Sequence, residues 1–155
     1  MDSAEKIAFK QRLKRWALDG IGQRITASRE AIDQAQQAAN QEEKSSAGDK
    51  YETGRAMGHL QKDMHARQLA ESMKELAALH SVQTDILYPA AGAGAFVQAE
   101  GIAFFIAAGL GRQQHEGQTI LFLSPQAPLA KVLQNKKPGD DISFQGTNVT
   151  ILEIF

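Results

Sequence analysis

Cysteine is absent from the 155-residue sequence, which removes disulfides, thiolate zinc sites and any thiol nucleophile. Condensing chemistry of the ketosynthase or thiolase kind, which needs an acyl-accepting thiol, goes with them. A surplus of charge is missing too. Lys+Arg total 17 and Asp+Glu 18, for a formal net charge of -1, so no global basic field recruits nucleic acid or an anionic membrane. Residues 1–80 hold 13 basic against 12 acidic side chains and residues 81–155 hold 4 against 6; neither half is a polybasic binder. The apolar stretch at 101–110 falls well short of the roughly 18 apolar residues of a membrane span. Residues 1–10 carry four charges where a signal core would be apolar. These features predict a cytoplasmic protein that makes no membrane contact. Internal repeats are absent as well.

What is present is helical periodicity in the first half. Asp2 and Glu5 have the spacing of a capping box, in which each side chain satisfies a free backbone N–H. From Leu18 the apolar residues settle into a heptad. Leu18, Ile25, Ile32 and Ala39 take one position, and Ile21, Ser28, Ala35 and Glu42 its partner. Leu13 and Trp16 fall outside that phase, so the start of this helix is expected to pack on something else. Between residues 31 and 39 the seam is small and Gln-rich, which lets a second helix approach closely. A helix over about residues 3–43 spans roughly 60 Å and needs a partner.

The partner follows. Met57, Leu60 and Met64, then Leu69, Met73, Leu76 and His80, show three- and four-residue spacings with one phase break near Arg67. The prediction is an antiparallel helical hairpin over residues 1–80 with its tip at about 44–53. Gly20, Gly22, Gly54 and Gly58 each weaken the helices by about 1 kcal/mol relative to Ala, so the hairpin relies on its seam.

After residue 81 the texture changes. Residues 81–94 read as a linker in which Pro89 prevents helix continuation. Short apolar or alternating runs follow at 95–97, 102–107, 119–123, 141–144 and 148–154, divided by glycines and by Pro138-Gly139. They predict an antiparallel sheet, with a short helix over 128–134. The fold class is therefore α+β, a helical hairpin followed by a small sheet domain at 95–155.

Ser124 and Pro125, then Leu129 and Ala130, the helical run to Gln134, Lys136 and Lys137, and finally Gly139 and Asp140 form a pattern that resembles the C-terminal signature of bacterial Gre-type transcript cleavage factors. Here one or two extra residues follow Ser124-Pro125. The resemblance covers nearly the whole chain, because that family also has an N-terminal helical hairpin and a C-terminal FKBP-like domain. At the hairpin tip the family carries glycine, aspartate, two variable residues and glutamate, matched here by Gly48, Asp49, Lys50, Tyr51 and Glu52. Thr53 stands where the family has asparagine, and Arg55 and Ala56 replace its next glutamate and tyrosine.

The resemblance implies a partner, RNA polymerase, entered through its secondary channel. It implies that Asp49 and Glu52 help hold a Mg²⁺ ion of the polymerase active site near the nascent RNA 3′ end, so that the polymerase cleaves backtracked RNA. The chain would then have no cofactor of its own and be no enzyme in isolation, with weak DNA binding at most. Docking on the enzyme's exterior would fall to Ser124, Pro125, Pro128 and Leu129. Two rivals stay open: a non-cleaving channel binder that competes with cleavage factors, favoured by Arg55 and Ala56, and a coiled-coil adaptor unrelated to polymerase. Prolyl isomerase activity is a third reading, opposed by phenylalanines that sit mostly at expected core positions.

The residues themselves allow plainer roles. Asp49 and Glu52 have capping-box spacing as N-cap and N3 of the second helix. Lys44, Lys50 and Arg55 have the character of solvated charges. His59, His65, His80 and His115 show no metal-ligand spacing. Gly92-x-Gly94 and Gly109-x-Gly111 lack the third glycine of a dinucleotide loop. Ser124 heads no triad and is expected to cap the short helix.

Overall fold

The structure, a computed structural model, describes residues 1–44 and 48–155, without the side chains of residues 42–44 and 48–52. It is α+β, with two long helices followed by a six-stranded sheet and one short helix. Helix α1 (Ser3–Lys44) starts with the expected capping box. Asp2 N–H donates to Glu5 Oε2 and Glu5 N–H to Asp2 Oδ1, both at 2.8 Å. Helix α2 (Gly48–Ser81) begins earlier than expected: residues 48–53 are its first turns rather than part of an interruption. Residues 45–47 of the expected tip lie outside the described residues. Among the described residues no helix is long and apolar enough to cross a membrane.

Contacts divide the chain into two compact units, Ile21–Lys74 and a second formed by Met1–Gly20 with Glu75–Phe155. In the first, α1 buries Ile21, Ile25, Ser28, Ala35 and Ala39, with Ile32 half-buried. This is the heptad read from the sequence. The facing stripe of α2 differs from the one expected. Gly58 is buried there, and Lys62, His65, Leu69 and Ser72 are half-buried. Met57, Leu60, Met64 and Met73 instead point to solvent, 44–64% exposed. The cause is the width of the seam. A Cβ built on Gly58 would lie 3.3 Å from the Ala39 Cβ, so the helices approach too closely here for methionine to fit between them. Lys62 Nζ crosses the hairpin to Gln36 Oε1 at 2.8 Å.

The second unit holds strands β1 (Phe96–Ala99), β2 (Ile102–Ile106), β3 (Gly111–His115), β4 (Gln118–Leu123), β5 (Asp141–Phe144) and β6 (Thr147–Ile154). Their order is β3-β4-β2-β1-β6-β5. All neighbours are antiparallel except β2 and β4, which run parallel, so the sheet is mixed. Helix α3 (Pro128–Leu133) lies between β4 and β5 in sequence. Strand β2 is buried at every position, because it is central and both faces of the sheet are covered. Val97, Phe104, Ile106 and Ile151 share one core with Ala130 and Leu133 of α3. The other face meets the first turns of α1. Phe9 packs edge-on to Phe96 at 5.0 Å, and Trp16 lies 5.0 Å from Phe122. Leu13 and Ala17 are fully buried in the same stripe, which accounts for the out-of-phase start of α1. At the end of α2, Leu79 is fully buried where His80 was expected to be.

Candidate functional site

Asp49 and Glu52 both belong to the opening of α2. Three residues apart on a helix, they share one face, and the N-terminal dipole favours carboxylates there. Their side chains lie outside the described residues. Because α2 already includes Gly48, Asp49 falls inside the first turn and not at the flanking cap position.

The second predicted surface is built around the turn before α3. Ser124 does not cap that helix. The residue at the cap position is Ala127, which makes no side-chain cap bond, and Pro128 follows it, where a missing N–H does no harm. Ser124 shapes the preceding turn instead. Its Oγ accepts from Gln126 N–H at 3.3 Å, and its carbonyl accepts from Ala127 N–H at 3.0 Å. Ser124 and Pro125 are half-buried, Pro128 is exposed, and Leu129 is partly buried against the core. The exposed apolar part of this surface is therefore Pro128 with Val132, one turn apart and 50% exposed, while Leu129 mostly anchors the helix.

A residue of α2 completes this corner. Glu75 Oε2 accepts from Gly109 N–H at 2.8 Å. A Cβ at Gly109 would come within 3.3 Å of that carboxylate and 3.7 Å of Ser124. Gly109 is thus a close-approach glycine between the root of α2 and the Ser124 turn, not part of a nucleotide loop.

Two further clusters were not legible in the sequence. Lys10 is fully buried, and its Nζ donates to the Ile86 carbonyl at 2.6 Å and the Gly94 carbonyl at 3.2 Å, 4.6 Å from the Tyr88 ring centre. One turn on, Lys14 Nζ donates to the Val82 carbonyl at 2.7 Å. The two lysines clip the linker to α1. Burial lowers the Lys10 amine to about 8, against a smaller upward pull from Asp85. Burial also raises the Tyr88 phenol, with Asp85 acting in the same direction. The second cluster joins α1 to the β3–β4 turn. Arg12 donates to Glu116 through Nε at 2.8 Å and Nη2 at 3.2 Å, and this bond holds the Glu116 carboxyl below its usual range. His115 packs beside Phe9 and Trp16. Its Nε2 is buried without a hydrogen-bond partner, 3.8 Å from Glu116 Oε1. Among the described residues no group of three or more His, Asp or Glu side chains is placed to hold a metal.

No protein-family model and no curated protein matches the chain. Among solved structures, that of the transcription factor Gfh1 is similar at 15% sequence identity, covering 89% of this chain and 92% of that one, with a TM-score of 0.37.

Proposed function

We propose that this chain is a transcription elongation factor that binds RNA polymerase in its secondary channel and stimulates cleavage of backtracked RNA by the polymerase itself. What supports the reading is that Asp49 and Glu52 stand three residues apart in the opening of α2, the spacing of one helix face. A two-carboxylate oxygen donor set suits Mg²⁺, which keeps several waters and accepts further ligands from another molecule. Such an ion, when bound, activates water and neutralises a leaving phosphate oxygen. This chain's contribution is to present the two acids near the RNA 3′ end. The Ala35, Ala39 and Gly58 seam holds the two helices together behind them. The turn at Ser124 and Pro125 and the exposed Pro128 supply a docking surface, with Leu129 seating α3 on the core.

The test is the double substitution Asp49→Ala with Glu52→Ala in a cleavage assay on backtracked complexes. Loss of stimulated cleavage with polymerase binding retained is expected; full activity overturns the role of the acids. Arg55 and Ala56 favour a second reading, a channel binder that competes with cleavage factors. Polymerase binding by the unaltered chain without stimulated cleavage would identify it. Failure to co-purify with core polymerase would remove both.

A further inference from the structure

The hairpin unit carries a second heptad stripe on each helix, beside the seam already occupied. On α1 it is Arg24, Ala27, Ala31, Gln34 and Ala38, and on α2 it is Gln61, Met64, Gln68 and Glu71. These side chains line one side of the hairpin as two adjoining hollows of about 590 and about 260 Å³, with Met64 common to both. The floor is alanine, and the large apolar side chain lining both hollows is Met64, 44% exposed; Met57 and Leu60, 53% and 64% exposed, lie upstream on α2 beyond the hollows. Large apolar side chains left outward beside a small-residue floor mark a docking surface more than a solvated face. A heptad on each of two helices, both facing one groove, is the lining a third helix packs into. Arg24 to Ala38 is fourteen steps along α1, about 21 Å or four turns.

Charge identifies the occupant. Arg24 and Arg67 both border the larger hollow. Among the described residues neither joins an ion pair, while Glu71 is held by Lys74 at 3.6 Å. That end of the groove therefore sets two guanidinium groups against one carboxylate, Glu71, which Lys74 already shares, and the excess cation is suited to a further carboxylate. Beyond Arg24, Arg67 and Glu71, the lining is made of uncharged side chains and His65. It contains no lysine and no Phe, Tyr or Trp ring, His65 being its one ring, unlike the aromatic stacking grooves that hold single-stranded nucleic acid.

We infer that this groove binds an amphipathic helix of a partner protein, about four turns long, with a narrow apolar stripe on the alanine floor and carboxylates in the turn over Arg24 and Arg67. The surface is separate from the Asp49 and Glu52 pair and does not rest on cleavage stimulation.

The test uses the full chain and a labelled, hydrocarbon-stapled helical peptide of about fifteen residues, with an Ala/Leu heptad stripe and two glutamates in one terminal turn. The control peptide carries lysines in their place. In fluorescence anisotropy the glutamate peptide is expected to bind at least about tenfold tighter than the lysine peptide. Arg24→Glu with Arg67→Glu is expected to reverse that preference, and Met64→Lys to weaken both peptides, with unchanged helicity by circular dichroism. Should Met64→Lys lower helicity, Ala38→Lys at the other end of the groove replaces it. Equal affinity for the two peptides, no binding of the glutamate peptide, or binding indifferent to these substitutions overturns the proposal. So does a dimer in sedimentation velocity that Met64→Lys or Ala38→Lys dissolves, because the groove would then be occupied by a second copy of the chain.

Discussion

The narrow seam of the hairpin makes opposite predictions for two glycines in the same unit. In an exposed helix, Gly→Ala stabilises by about 1 kcal/mol through lower unfolded-state entropy and better propensity. Gly22 has nothing within 4 Å of an added Cβ, so Gly22→Ala should raise stability by about 0.5–1 kcal/mol. At Gly58 the added Cβ would sit 3.3 Å from the Ala39 Cβ and 3.9 Å from the Ala35 carbonyl oxygen. Carbon contacts favour about 3.5–4.0 Å, so the helices must part by a few tenths of an ångström along a stripe that depends on their closeness. Overpacking of this kind costs about 1–3 kcal/mol. The propensity gain is cancelled or exceeded, leaving Gly58→Ala between about 0 and 2 kcal/mol destabilising. Gly58→Leu, which adds three more carbons with no space to enter, should lose more. Urea unfolding followed by far-UV circular dichroism measures all three. If Gly58→Ala stabilises as much as Gly22→Ala, the helices are not in close contact at this point and the explanation for the outward methionines fails with it.

Lys10 has a lower pKa folded, about 8, than its ordinary 10.5, so between those values the unfolded chain binds more protons and stability rises with pH. This contribution is complete above about 10.5 and lost as pH falls through about 8, with a ceiling of about 3 kcal/mol. Urea midpoints across that window should climb for the unaltered protein and stay flatter for Lys10→Met; equal slopes refute the burial of a titrating amine. Phe9, 3% exposed and edge-on to Phe96, should lose about 3–5 kcal/mol as Phe9→Ala, read from the same urea transitions. Gln145 holds φ at 51° in the β5–β6 turn, a region that suits glycine, so Gln145→Gly should gain about 0.5–1 kcal/mol by thermal melting. Glu116 is held acidic by Arg12. Its contribution is present above the unfolded carboxyl value and fades as pH falls through the lower folded one, so Arg12→Ala should remove that part of the acid limb in a pH titration of stability.

What could be read from the residues alone was whatever repeats at short range. The α1 heptad, the Asp2 and Glu5 cap and the short helix at Pro128 are local patterns, and each is observed. Strand β3 is not legible in the sequence because its residues, Gly-Arg-Gln-Gln-His, lie at a sheet edge and are mostly exposed, leaving no apolar alternation. Most of the α2 seam escapes the sequence for the opposite reason: Met57, Leu60, Met64 and Met73 are conspicuous but do not face α1, whereas Leu69 does. Ser124 matched the expectation for a cap, and its own turn claimed the hydroxyl instead.

The sequence by itself determined the type of every element but β3, the α+β class and the spacing of the acid pair in α2, since helix and strand periods and capping spacings are set within a few residues of chain. Only the tertiary structure decided which face of α2 meets α1, that Lys10 is buried in the linker's carbonyls, and that Glu75 reaches Gly109. Those depend on how closely two distant segments approach, and the available distance is a property of both surfaces together.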